Sequence, residues 1–227
     1  MMYKLTEKTI RKCEKNSRDI DWKSLSAITK LPESFIEKYQ DKVDWSNISY
    51  YQTLSEPFIE KFKDKVNWDS ISWSQSLSEP FIEKYKDKVD WNNISCYQIL
   101  SEPFIEKYKN KISWSWIVDC QELSESFIEK YKDKVNWNSI SQEQELSESF
   151  IEKYKNKLDW EGISKYQELS EPFIIKMKKY IIFDNLLSEK LTPSVINNCY
   201  EYIKNIDKRK LRNKDILPEV RLYYEVD

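Results

Sequence analysis

The sequence predicts an all-α protein, a right-handed α-solenoid of short two-helix repeats with a capping segment at each end. Three observations predict it: a gapless internal repeat, two helix-start signals inside each copy, and a near absence of glycine.

The repeat comes first, because a fixed period decides the architecture before any single helix does. Aligned on LSEPFIEKY, residues 31–53, 54–76, 77–99, 100–122, 123–145 and 146–168 form consecutive copies of 23 residues with no gap between them. Residues 169–190 keep LSEPFI but carry Phe183 where the others carry Trp. Residues 1–30 hold a degenerate copy that keeps Ile20, Asp21 and Trp22, with extra residues near Asn16–Arg18. The layout is therefore an N-terminal capping repeat (1–30), six regular repeats (31–168), a degenerate repeat (169–190) and a C-terminal cap (191–227).

Within the reference copy, LSEPFIEKYKDKVDWNNISCYQI, helix A starts after Ser78, a favoured N-cap, with Pro80 in the first turn where a missing N–H costs little. Leu77 and Ile82 have the spacing of a hydrophobic staple. Phe81, Ile82 and Tyr85 share one face, and Glu79, Glu83 and Asp87 the other. Helix B repeats the design, with Asp90 as cap, Trp91 opening the helix and Val89 stapled to Ile94. Helices of roughly nine or ten residues are marginal alone, so each copy must bury its aromatics against the next. A coiled coil is excluded, since caps interrupt every copy. A β-solenoid is the rival, because VDWNNIS could run extended; the single glycine, Gly162, argues against its turns.

LTPSVINNCYEYI in the C-terminal segment reads as a last helix A, with Val195, Ile196, Cys199, Tyr200 and Ile203 on one side. A basic run, Lys208, Arg209, Lys210, Arg212 and Lys214, follows it.

The formal net charge of −2 is spread over interleaved acids and bases, which reads as solvated helix faces. No apolar run is long enough to span a membrane and no signal-peptide core is present, so the expectation is a cytoplasmic protein with free thiols at its four cysteines. The chain has no histidine, which removes the commonest general base and metal ligand. It has no phosphate-binding glycine loop and no CxxC pair. The carboxylates recur at one repeat position (Glu60, Glu83, Glu106, Glu129, Glu152), whereas catalysis needs a unique constellation in a cleft. No enzyme activity, cofactor, metal or small-molecule substrate is expected.

The repeated tryptophans, Trp22 through Trp160, could stack on bases, but their spacing with Ile48, Ile71 and Ile94 favours packing in the core. The repeated glutamines, Gln52 through Gln167, lie on the same side and suggest a hydrogen-bond ladder between copies. Helix A's charged face barely varies, while two outward positions of helix B vary freely. One runs Tyr50, Trp73, Cys96, Asp119, Gln142, Lys165, and the other includes Trp116. Large aromatics at solvent-facing positions are typical binding anchors, although drift at unconstrained positions gives the same pattern. The candidate partner-binding residues are Tyr50, Trp73, Tyr97, Trp116, Asp119 and Lys165, lined up as one strip on helix B.

The string LSEPFIEKYKDKVDWNNIS, followed by YQ or a similar pair, resembles a tandem repeat of proteins from giant viruses, phages and AT-rich bacteria. That resemblance covers residues 31–190 and implies a repeat array, with a host-interaction or counter-defence role; it carries no functional residues across. The expected function is a scaffold or inhibitor that occupies the surface of a protein partner. The alternative is nucleic-acid binding through the repeated lysines (Lys61, Lys84, Lys107, Lys130, Lys153) and the basic run Lys208–Lys214, opposed by the interleaved acids.

Overall fold

The structure, a computed structural model, describes Tyr3, Lys4 and residues 20–203. Most of the N-terminal capping repeat and the basic run Lys208–Lys214 lie outside the described residues.

Each regular copy folds as two helices. The A helices are Glu33–Lys38, Glu56–Lys61, Glu79–Lys84, Glu102–Lys107, Glu125–Lys130 and Glu148–Lys153. The B helices are Trp45–Tyr51, Trp68–Ser74, Trp91–Tyr97, Trp114–Cys120, Trp137–Glu143 and Trp160–Tyr166. The starts fall where the caps place them: Ser78 accepts the Phe81 N–H at 3.3 Å, and Asp90 accepts the Asn93 N–H at 2.8 Å. Both helices are shorter than the expected nine or ten residues, at 6 for A and 7 for B. Helix A ends because the chain tightens at Tyr85, whose carbonyl accepts the N–H groups of Lys88 and Val89. Helix B ends in an extended Gln98 (φ −100°, ψ 147°). Neither stop uses positive φ, and no described residue has it, which is why the repeat needs no glycine.

Among the described residues the one strand pairing is a two-residue parallel ladder, Tyr3–Lys4 against Thr29–Lys30, which the sequence did not suggest. The degenerate copy at 169–190 keeps helix A (Glu171–Lys176) but replaces helix B with a 3₁₀ turn, Phe183–Asn185. Its preceding residue is Ile182, whose side chain cannot cap a helix. The last described helix, Pro193–Ile203, buries Val195, Ile196, Cys199 and Ile203 as its pattern requires.

Packing divides the chain into two compact units, Met1–Ile117 and Val118–Asp227. In the first, the B helices Trp22–Ile28, Trp45–Tyr51, Trp68–Ser74 and Trp91–Tyr97 stack each on the next. In the second, Trp137–Glu143 stacks on Trp160–Tyr166, which meets the Phe183 turn. Each unit is thus a run of stacked helical repeats, and the helical reading prevails over the β alternative. In every regular copy the Leu ahead of helix A, the Phe and Ile within it, a Val, Ile or Leu ahead of helix B and the Ile within that helix are buried.

Three polar contacts recur at these joints. The buried Gln98 amide donates to the Ser72 and Gln75 carbonyls at 3.0 and 2.7 Å, and its oxygen accepts the Leu77 N–H at 2.8 Å. Gln144 makes the same three contacts with Val118, Gln121 and Leu123. The expected glutamine ladder exists, then, but it runs from side chain to backbone: the amide donates to two carbonyls of the preceding copy and the oxygen accepts from the first residue of its own. A buried serine hydroxyl supplies the second contact: Ser72 donates to the Trp68 carbonyl and accepts the Asp90 N–H, at 2.7 and 3.0 Å. In the third, the first acid of helix A reaches forward, Glu79 accepting the Ser101 N–H at 2.6 Å.

The repeated tryptophans are only half-buried, so the expectation of a core Trp–Ile pair is half met. Ile94 is fully enclosed, whereas Trp91 lies at the rim. Its ring stacks on Phe104 and Tyr108 of the next copy (centroids 6.4 and 4.8 Å), and its indole N–H donates to the Lys86 carbonyl at 2.9 Å. The Lys111 ammonium covers the open face, 5.7 Å from the ring centre.

Candidate functional site

With the joints absorbing the invariant residues, the outward faces of the B helices carry what differs between copies. In the first unit, helices Trp45–Tyr51, Trp68–Ser74 and Trp91–Tyr97 read WSNISYY, WDSISWS and WNNISCY, with Asp69 the one charged residue among them. Stacking brings the large side chains of this face together. Tyr50 and Trp73 lie parallel, centroids 4.6 Å apart and planes 11° from each other. Tyr97 meets Trp73 edge-on at 5.3 Å, and Tyr51 meets Tyr50 edge-on at 4.6 Å.

This four-ring array stands in solvent. Exposures are 39% for Tyr50, 44% for Tyr51, 37% for Trp73 and 51% for Tyr97, and Ile99 just beyond is 95% exposed. Rings this large are normally withdrawn from water, so a contiguous set left open is the informative observation. Of the candidate residues, the structure brings Tyr50, Trp73 and Tyr97 into direct contact. Tyr51 joins them at the neighbouring repeat position, which sequence reasoning passed over. The signal was available: Tyr51, Tyr97 and Tyr166 recur at one position of the repeat. Trp116 is exposed in the same unit, but among the described residues no ring contact joins it to the array.

Asp119 and Lys165 belong to the second unit and are exposed there. That unit's B-helix face has a different chemistry. A shallow groove of about 560 Å³ is lined by residues 142–147 and 166–168, including Glu143, Glu145, Tyr166 and Glu168. A neighbouring groove adds Glu122 and Glu125. Lys165 lies over the Tyr166 ring at 4.8 Å, and its hydrogen bond with Tyr166 raises its pKa above the ordinary lysine value.

The repeated lysines of the nucleic-acid alternative are engaged already. Lys61 and Lys84 bridge to Glu37 and Glu60 of the preceding copies, and Lys107, Lys153 and Lys176 to Glu83, Glu129 and Glu152. A second row pairs Lys65, Lys88 and Lys111 with Asp41, Asp64 and Asp87. These hydrogen bonds hold the Asp64, Glu83, Asp87 and Glu129 carboxyls below their ordinary values and raise Lys84, Lys107 and Lys153 above theirs. Two lysine rows of this face are thus paired with carboxylates of the preceding copy, which reduces the field a phosphate would meet there. Among the described residues no cluster of three or more His, Cys, Asp or Glu could hold a metal ion, and no described helix is long and apolar enough to cross a membrane. No family model, no curated protein and no solved structure matches the chain.

Proposed function

We propose that this chain is a protein-interaction module of repeat type, a scaffold or inhibitor that engages a protein partner through the B-helix face of its first unit. The observation that carries the reading is the Tyr51–Tyr50–Trp73–Tyr97 array on a face with almost no charge. Tyrosine, tryptophan, serine and asparagine are the mixture that adaptable protein-binding surfaces favour: rigid rings supply contact area at little entropic cost, and small polar groups supply hydrogen bonds. Trp73 sits at the centre of the array, where binding energy concentrates. The repeat resembles those of proteins from giant viruses, phages and AT-rich bacteria, and for a viral or phage source the partner proposed is a host protein. Trp116, Asp119 and Lys165 are proposed as secondary contacts, each on its own unit.

The test compares tagged wild-type chain with the Trp73→Ala variant in capture from source-cell extract, read by quantitative mass spectrometry. A partner retained by the wild type should fall about tenfold or more with the variant, since loss of a central aromatic anchor is worth about 2 kcal/mol or more. Thermal unfolding of the two proteins should nearly coincide. Equal capture by both, or a large drop in the variant's melting temperature, overturns the reading.

A further inference from the structure

We infer that two copies of this chain associate through the aromatic face of the first unit, around Trp73. The inference rests on the reading of that face as an interface and names one occupant for it. Charge is the first argument. A two-fold pairing brings each surface patch against the same patch, so any net charge on it meets like charge. The acidic grooves of the second unit, with Glu122, Glu143, Glu145 and Glu168, would repel their own copy. The first unit's B helices, with Asp69 their one charge, would not.

Area is the second argument. At the exposures given above, the four rings leave roughly 400 Å² open to water. Pairing two such patches buries about 800 Å², and the Ser and Asn rim brings the total to about 1,000 Å², the lower bound for a specific interface. The pairing should therefore be weak and reversible, with a dissociation constant of roughly 1–100 μM.

Sedimentation equilibrium of the full chain from about 1 to about 200 μM spans that range. The apparent mass should rise from that of one chain toward that of two. Trp73→Asp, which sets two carboxylates against each other in a buried pairing, should keep the chain monomeric at every concentration, and Tyr97→Asp should weaken association at least tenfold. Gln142→Asp, the equivalent position in the second unit, should leave the curve unchanged. Circular dichroism confirms that each variant retains its helices. A wild type that stays monomeric throughout overturns the inference, as does a dimer that survives Trp73→Asp and Tyr97→Asp. Its failure is separable from that of the interaction reading. A monomer that captures a partner only when Trp73 is present sinks the pairing and keeps the module, while a Trp73-dependent dimer that captures nothing does the reverse.

Discussion

At the scale of single residues, stability is concentrated in side chains that replace backbone contacts between copies. Gln98 closes helix B and satisfies three backbone groups at once, two carbonyls of the preceding copy and the Leu77 N–H that opens its own. Gln98→Ala strands the Leu77 N–H and the Ser72 and Gln75 carbonyls, and should cost about 2–4 kcal/mol in urea unfolding. Ser72→Ala removes one hydroxyl that both donates and accepts, and should cost about 1–2 kcal/mol by the same measurement. The chain has made a comparable change itself, with Val118 standing at the serine position of its copy, which argues for the lower end of that range. The glutamines were legible as a repeated polar residue on the apolar side, and a ladder followed from that. The serine's role was not legible, because a hydroxyl whose backbone partner lies 18 residues away leaves no mark in local spacing.

At the scale of elements, the two kinds of tryptophan separate by what their helix positions face. Trp91 joins its helix to the next copy through two rings and a lysine cap, and to its own copy through the Lys86 carbonyl. Trp91→Ala should destabilise the fold by about 2–4 kcal/mol, less than a fully enclosed aromatic because part of the indole already touches water, with urea unfolding as the check. The ring contacts that Trp73→Ala removes are those with Tyr50 and Tyr97 in the exposed array, so its unfolding midpoint should move less than that of Trp91→Ala. Helix starts were legible because a cap is a local event: Ser78 and Asp90 each act on a residue three positions on. The stops were not, since Tyr85 and Gln98 end their helices without glycine or proline. The pairing of Tyr50 with Trp73 was legible because a 23-residue period sets equivalent positions side by side, while Tyr97 reaches Trp73 from the neighbouring repeat position. The half-exposure of the repeated tryptophans was not, because their ring partners lie 13 and 17 residues ahead and a lysine covers the remaining face.

For the whole molecule, the paired charges and the missing histidine together fix how stability responds to pH. Of the shifted carboxyls, Asp64, Glu83, Asp87 and Glu129 have their pKa lowered first by a hydrogen bond from a lysine of the next copy. A lowered carboxyl stabilises the fold above its unfolded value of 3.8 or 4.5, and that contribution disappears as pH falls through the still lower folded value. Lys84, Lys107 and Lys153 are shifted the other way, raised by their glutamates. Their contribution is complete below the unfolded value of 10.5 and is lost as pH rises through the higher folded value. Cys199, pushed up from 9.0 by burial, adds to the alkaline loss alone. Between these limits nothing histidine-like titrates, because the sequence contains none. The melting temperature should therefore be flat from about pH 5 to about pH 8.5, fall below about pH 4 as the pairs are protonated apart, and fall again above about pH 10. Every pair is exposed to solvent, so both edges should soften in high salt, where the same attraction is screened. Differential scanning fluorimetry across that range, at low and high ionic strength, is the check. A midpoint between pH 6 and 7 would mean that the Lys–Glu lattice is not what sets the pH limits of the fold.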